Sequence, residues 1–432
     1  MLRRVVSVCL IGFVILSFLP ILTQAAGNDK QFVKIGLAQD QDDIFLTSVE
    51  CKRVIDLAGL TPVTISPWGD SFDFSCAGET VFINGIPYGR GPFLIITDDN
   101  RVNDWNGRLF RGAFLITAQN NKLTLANQLP LEDYLRGVVP KEVISEWPMA
   151  SLKAQAIAAR TYTLASLQRH KSMQYDLCAT EHCQVYGGVL AETTKTDLAV
   201  SETADKIISY KGKIISAFYH AASGGYTSDA VNVWQNDVPY LKPVSDWDQN
   251  SPHTQWTRTF NWCDIQVMAG QSYPSIGRLK QALPVSFDRN GTILQLNLKG
   301  DLGEVTVSGE QFRYMTGIPS SKINIGVIYG PEPFVTLWWM HKDLYPEAIM
   351  ANNEIPGLIA DILQPPWDLP DPWAWLQDKE ILKMVIRGSG WGHGVGLSQW
   401  GAKGMADAGF NETQIIEHYY PGAKVTGAGN LK

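Results

Sequence analysis

From Gln31 to about Gln128 the chain is written in short apolar or alternating runs, among them Phe32-Val33-Lys34-Ile35-Gly36-Leu37, Thr64-Ile65, Val81-Phe82-Ile83 and Phe93-Leu94-Ile95-Ile96. Gly, Asp-Asn and Asn-Gly punctuate them, and runs of this length between turn residues predict strands. At residue 131 the period changes. Residues 131–135 start a brief helix, with Glu132 and Asp133 in a first turn where the helix dipole favours anions, so both acids read as caps. From Pro148 onward, Leu152, Ala156 and Ala159 share one face, and Ala154, Ile157 and Ala158 lie beside it. Proline in the first turn and an alanine-rich interior predict a buried helix reaching about residue 167. A second helix is expected over 193–207. Two strand-like runs follow around Lys211-Gly212-Lys213, with further strands at 293–298 and 304–308. Residues 329–378 are rich in Pro and Trp without a clear period, which reads as a long insertion or lid. A last strand over 382–387 leads into a glycine-rich loop, and short helices start near Leu397 and Thr413.

The predicted class is α+β, with a strand-rich N-terminal portion over 27–128. Residues 129–432 form a catalytic core, in which a central buried helix packs against antiparallel strands. A chain of 432 residues with 45% apolar content can bury a large core in two or more domains. The N-terminus reads as an export leader over 1–26: Arg3 and Arg4, then apolar Val5 to Leu22, then the small-residue stretch Thr23-Gln24-Ala25-Ala26. The apolar run is long enough to serve instead as an uncleaved anchor, which would be the only membrane contact. Formal charge is -7, and removing a leader with two arginines and no acid takes it to -9, which argues against nucleic acid as a partner. Fourteen Trp and fifteen Tyr exceed what a core of this size requires, and saccharide rings stack on aromatic faces. Cys9 lies in the leader, which leaves Cys51, Cys76, Cys178, Cys183 and Cys263. Five is odd, so at least one thiol is unpaired or bound to something, and Cys51 and Cys76 could pair in an oxidising compartment.

Two stretches carry the candidate chemistry. In LEDYLRGVVPKEV a lone carboxylate, Glu142, falls in a short loop between helices, with Glu146 a weaker competitor. In GSGWGHGVGLSQWGAKG, Gly390, Gly392 and Gly394 let backbone approach a ligand closely. There Trp391, His393, Ser398 and Gln399 are candidate contacts to a sugar. Ser223-Gly224-Gly225, with Tyr226 and Thr227, is a third candidate wall. A serine nucleophile at Ser223 with His220 is disfavoured, because the strand-elbow-helix context that exposes such a serine is missing. Arg160 and Tyr162 read as core. Between them these stretches bracket His170, Cys178, His182 and Cys183, a tetrahedral zinc set in residue type but irregular in spacing. A Cys178–Cys183 disulfide is the physical alternative, and either would fasten the turn after the main helix. A Cys178 nucleophile with His182 is the least favoured reading.

LEDYLRGVVPKEV, EWPMASLKAQAIAARTYTLA, YDLCATEHCQVYGG, YHAASGGYTSD and GWGHGVGLSQWGAKGMADAGF occur in the order found in the stage II sporulation protein D family, and over roughly residues 109–423 the chain resembles it. The family comprises secreted peptidoglycan lytic transglycosylases, with relatives that enhance cell-wall amidases. The resemblance puts the catalytic glutamate on Glu142, although Val143-Ile144 stands where many relatives have Met-Pro. It also implies glycan strands as substrate, an amidase acting upstream, and in some relatives a structural zinc at the cysteine segment. No cofactor is then required for the chemistry. One acid suffices when the sugar's own C6 hydroxyl attacks C1, because the nucleophile arrives tethered. To hold its proton near neutrality the glutamate needs a pKa raised from about 4.3 toward 6, and Val139, Val143 and Trp147 are the expected dry surroundings.

Overall fold

The computed structural model describes residues 31–47, 52–66, 71–97, 102–330, 335–339 and 380–430. The expected leader, Cys9, Cys51 and most of the 329–378 insertion lie outside them. The described chain is α+β, and it divides into two units: residues up to 147 together with 155–206, and residues 148–154 together with 207 onward. Among the described residues no helix is long and apolar enough to cross a membrane.

In the first unit a seven-stranded sheet runs in the order Leu177–Cys178, Phe32–Gln41, Lys122–Pro130, Ala113–Gln119, Phe93–Thr97, Lys52–Asp56, Thr61–Ser66. All neighbours are antiparallel except the first pair, where Ile35 and Gly36 face Leu177 and Cys178 in parallel. Val33 and Ile35 are wholly buried while Phe32 and Lys34 are exposed, which is the alternation of a one-sided strand. Ala113–Gln119 and Lys122–Pro130 are joined by Asn120-Asn121, both at positive φ, as a two-residue hairpin turn requires. Asn84-Gly85 closes another hairpin in the same way, within a smaller sheet built on Asp43–Thr47, Ser71–Ala77, Thr80–Ile83 and Ile86–Gly89.

Helix α1 (Leu131–Glu142) is longer than the brief turn expected. Leu131, Tyr134, Leu135, Val138 and Val139 form its buried stripe, and Pro140 is tolerated in the last turn. Glu142 is the final helical residue, so the predicted loop placement is corrected: the loop begins one residue later, at Val143. Helix α2 (Met149–Ala165) begins where Pro148 offers its carbonyl to Ser151 and Leu152. Its interior is buried nearly all round, and Arg160 and Tyr162 are buried with it. Helix α3 (Thr194–Glu202) is capped by the Thr193 hydroxyl and stops short of the predicted 207. There Thr203 bonds back to Ala199, Asp205 turns left-handed, and the chain enters the strand Lys206–Tyr210.

Glu132 is not a cap. Arg160, only 1% exposed, holds it in a two-pronged ion pair at 2.7 Å and 2.7 Å, and also donates to Val200 O and Lys206 O. Arg136 on α1 reaches Asp197 on α3 at 2.6 Å and Glu192 at 3.0 Å, and Glu192 also takes both prongs of Arg111.

The second unit has one core shared by a four-stranded antiparallel sheet (Trp256–Asn261, Glu380–Gly388, Ile323–Gly330, Val335–Trp339), a three-stranded sheet (Leu279–Phe287, Ile293–Gly300, Glu304–Ser308) and the helices Trp262–Ser272 and Gly309–Thr316. Within the Pro/Trp insertion, Val335–Trp339 joins the sheet as a strand. Beyond this core, Tyr219–His220 pairs in parallel with Leu397–Ser398, and the helices Gln399–Asp407 and Glu412–Tyr419 close the chain.

Candidate functional site

In the first unit the carboxylate of Glu142 accepts the Val185 backbone N–H at 2.9 Å. The side chain is half-buried, and Val139, Val143 and Trp147 around it in sequence are buried. Glu146 is exposed, and it is its backbone carbonyl that is engaged, by Lys195. Val185 is fixed from below and beside. Gln184 is buried and accepts from Thr163 Oγ1 at 2.8 Å and Tyr134 Oη at 3.4 Å. Tyr186 donates to Asn127, and Gly187 donates to the Gly137 carbonyl of α1. Gly137 is required there, since a Cβ would stand 2.5 Å from the Tyr186 ring. Burial pushes the Tyr134 phenol well above its ordinary range, so it stays a neutral donor.

Just before Val185 lie the four residues singled out for zinc, and the fold brings them together. Their ligand atoms are all within 4.8 Å of one another. His170 Nε2 is 3.3 Å from Cys183 Sγ, and His182 Nδ1 is 3.6 Å from each sulfur. A tetrahedral zinc with ordinary bond lengths needs S···N edges of about 3.5 Å, so the donors fit such an ion in both type and spacing. Cys178 and Cys183 are free thiols. A hydrogen bond from Cys183 draws the Cys178 thiol down to about 3, against the opposing effect of burial, and Cys183 is pushed up in return. One of the pair is thus poised as thiolate, the form a metal takes. The segment is anchored on the Phe32–Gln41 strand: Asp176 N–H donates to Lys34 O, Lys34 N–H to the Asp176 carboxylate, and Ala179 N–H to Gly36 O.

The second unit brings together the other two predicted walls. Ala222 and Trp391 exchange both backbone hydrogen bonds, which joins the Ser223 loop to the Gly388–Gly404 loop. Trp391 is 44% exposed and lies against His253, and Tyr226 is 49% exposed. His393 lies against Trp234 and His220, tilted by 55° to each ring at separations of 5.0 Å and 5.6 Å, and its Nδ1 accepts from Val395 N–H. Burial, with His220 adjacent, holds its pKa well below the usual value. The imidazole is therefore neutral at pH 7.

Other predicted contacts turn inward. The Ser223 hydroxyl donates to Asp246, which also accepts from Tyr419 Oη at 2.6 Å. Gly224 and Gly225, both at positive φ, give their N–H groups to Asp248 at 2.7 Å and 3.0 Å, so this backbone nest already holds an anion of the chain itself. Burial raises the Asp248 carboxyl, with Asp246 adding to it. Thr227 Oγ1 accepts from Val244, Ser398 is the buried N-cap of the helix Gln399–Asp407, and Gln399 is buried behind it. His220 gives Nδ1 to the Val395 carbonyl rather than to Ser223, which removes the geometry of a serine nucleophile. Asp246, Asp248, Tyr419, Gln184 and Lys195 went unnoticed in sequence. The only signal was the pair of acids in Ser245-Asp246-Trp247-Asp248, since bonds to backbone amides leave no period.

Residues 119–210 match the profile of a family described as stage II sporulation protein. The chain is 30% identical to the stage II sporulation protein D of Bacillus amyloliquefaciens over 322 residues, covering 70% of this chain and 76% of that one. It is 28% identical to an uncharacterised protein of Brachyspira hyodysenteriae, covering 74% and 73%. It is 27% identical to an amidase enhancer of Bacillus subtilis, covering 68% of this chain and 40% of that longer one.

Proposed function

This chain belongs to the stage II sporulation protein D family, and from that premise we propose that it is an exported lytic transglycosylase, working in the periplasm or cell wall. It cleaves peptidoglycan glycan strands between N-acetylmuramic acid and N-acetylglucosamine. Glu142 protonates the bridging oxygen as the C1–O bond breaks; the C6 hydroxyl attacks C1, its proton passes to the Glu142 carboxylate, and a 1,6-anhydro ring is left. The observation that supports the reading is the placement of the Glu142 carboxyl, half-buried at the end of α1 and oriented by the Val185 backbone N–H, with buried Val139, Val143 and Trp147 around it in sequence. Trp391 and Tyr226 are exposed enough to stack on sugar rings, with His393 a neutral contact.

The test is incubation of the protein and Glu142→Gln with amidase-treated peptidoglycan. We expect 1,6-anhydromuramyl ends from the first and none from the second. If neither makes them, the reading that remains is a non-catalytic enhancer of an N-acetylmuramoyl-L-alanine amidase, which the similarity to the amidase enhancer favours.

His170, Cys178, His182 and Cys183 hold one structural zinc in this proposal, which fastens the segment that presents Val185. One equivalent of zinc by elemental analysis, lost on chelation with a fall in melting temperature, is the expected result. A protein free of metal, with its mass lowered by the two thiol hydrogens, would establish the disulfide instead.

A further inference from the structure

We propose that Lys195 is a positioning residue for Glu142, a role that rests on the reading of Glu142 given above. Lys195 stands in the first turn of α3, where the partial positive charge of the helix N-terminus opposes a cation. Its place is explained by what it reaches. The ammonium donates to the Glu146 carbonyl at 2.9 Å and to the Trp147 carbonyl at 2.6 Å.

Those carbonyls belong to the turn that separates Glu142 from α2. The first backbone bonds of α2 go to Pro148 O, and Lys195 donates to the two carbonyls that precede it, tying the entrance of α2 to α3. Within the turn, Val143 N–H bonds back to Val139 and Trp147 N–H to Ile144. Helix α3 is meanwhile braced against α1 by the Arg136–Asp197 pair at 2.6 Å. Glu142 therefore sits between two struts from the same helix, one six residues before it and one four to five residues after. On its own side chain it has the Val185 N–H. Releasing the second strut frees the C-terminal end of α1 to fray, and the carboxyl moves off Val185. A misplacement of this kind needs only about 1 Å to lower a rate severely.

The experiment compares the full chain with Lys195→Met and Lys195→Arg, using two readouts. Hydrogen exchange at the Val185 amide reports the strut without any assumption about catalysis. Turnover of amidase-treated peptidoglycan reports its use. In Lys195→Met we expect faster exchange at Val185 with the Ala113–Gln119 strand unchanged, and kcat lower by roughly tenfold to a hundredfold at unchanged KM. Lys195→Arg, which keeps the cationic donors, restores both. If the methionine variant fails to fold, Lys195→Gln takes its place. Unchanged Val185 protection overturns the proposal, and so does a loss of turnover that arginine does not restore. An inactive wild type would remove the transglycosylase reading, while the exchange result would still decide whether Lys195 positions Glu142.

Discussion

Arg160 is nearly inaccessible, and its guanidinium is matched by Glu132 at the surface end and by backbone carbonyls at the other. Removing the carboxylate strands a charge that cannot reach water. We expect Glu132→Ala to destabilise the fold by about 2 to 3 kcal/mol in urea unfolding, below the cost of a fully enclosed pair because Glu132 is 41% exposed. Sequence reading handled single residues unevenly. Glu142 was singled out by the run around it, not by any property of a lone glutamate, whereas the gathering of His170, Cys178, His182 and Cys183 could be anticipated from residue type. Glu132 was misread because a first-turn acid satisfies the dipole rule whether or not a buried arginine lies 28 residues on. Asp246 and Asp248 were invisible for a related reason: their partners are main-chain amides, hydroxyls and a tyrosine distant in sequence.

At the scale of elements, α1 shows propensity and packing pulling in opposite directions. Alanine at Gly137 gains about 1 kcal/mol of helix propensity. Its Cβ would nonetheless stand 2.5 Å from the Tyr186 ring and 3.2 Å from Gly188 N, and Tyr186 is pinned by Asn127. Overpacking of this kind costs about 1 to 3 kcal/mol, so the clash wins. Gly137→Ala should lower the melting temperature and release Val185 from Glu142, visible as faster exchange of that amide. Strands and turns were the legible elements: Asn84-Gly85 and Asn106-Gly107 adopt the positive φ values their residue types favour. Helix ends were less so. Pro140 suggests a stop, yet its ring falls in the last turn, while α3 ends early at a bond made by Thr203. The segment 170–188 has almost no regular structure, and no periodicity could have shown that it carries both the thiols and the amide that holds Glu142.

For the molecule as a whole, pH dependence should be dominated in the acid range by buried imidazoles of the second unit. Burial lowers His220 to about 4 from an ordinary value near 6.5. Below pH 6.5 the unfolded chain takes up a proton that the folded chain refuses, so this contribution to stability is present above that pH and is lost as pH falls toward 4. At pH 5 the loss amounts to about 2 kcal/mol. Asp248 works in the opposite sense, because a raised carboxyl binds its proton sooner in the folded state. The useful quantity is therefore the difference between wild type and His220→Gln: the acid-side fall in urea midpoint from pH 7 to pH 5 should be shallower in the variant. The α+β class and the order of the family's runs could be read from sequence. What could not be read is that Asp246 and Asp248 gather the Ser223 loop inward, because hydrogen bonds between distant segments follow from packing.

One short pairing carries a practical lesson for anyone trimming the gene. Leu177 and Cys178 lie along Ile35 and Gly36, in the first described strand, Phe32–Gln41. A fragment cut to the recognisable region would discard the strand along which the thiol-bearing segment is laid. Its failure to retain metal would then say nothing about the ligands, and would report a missing neighbour more than a hundred positions upstream.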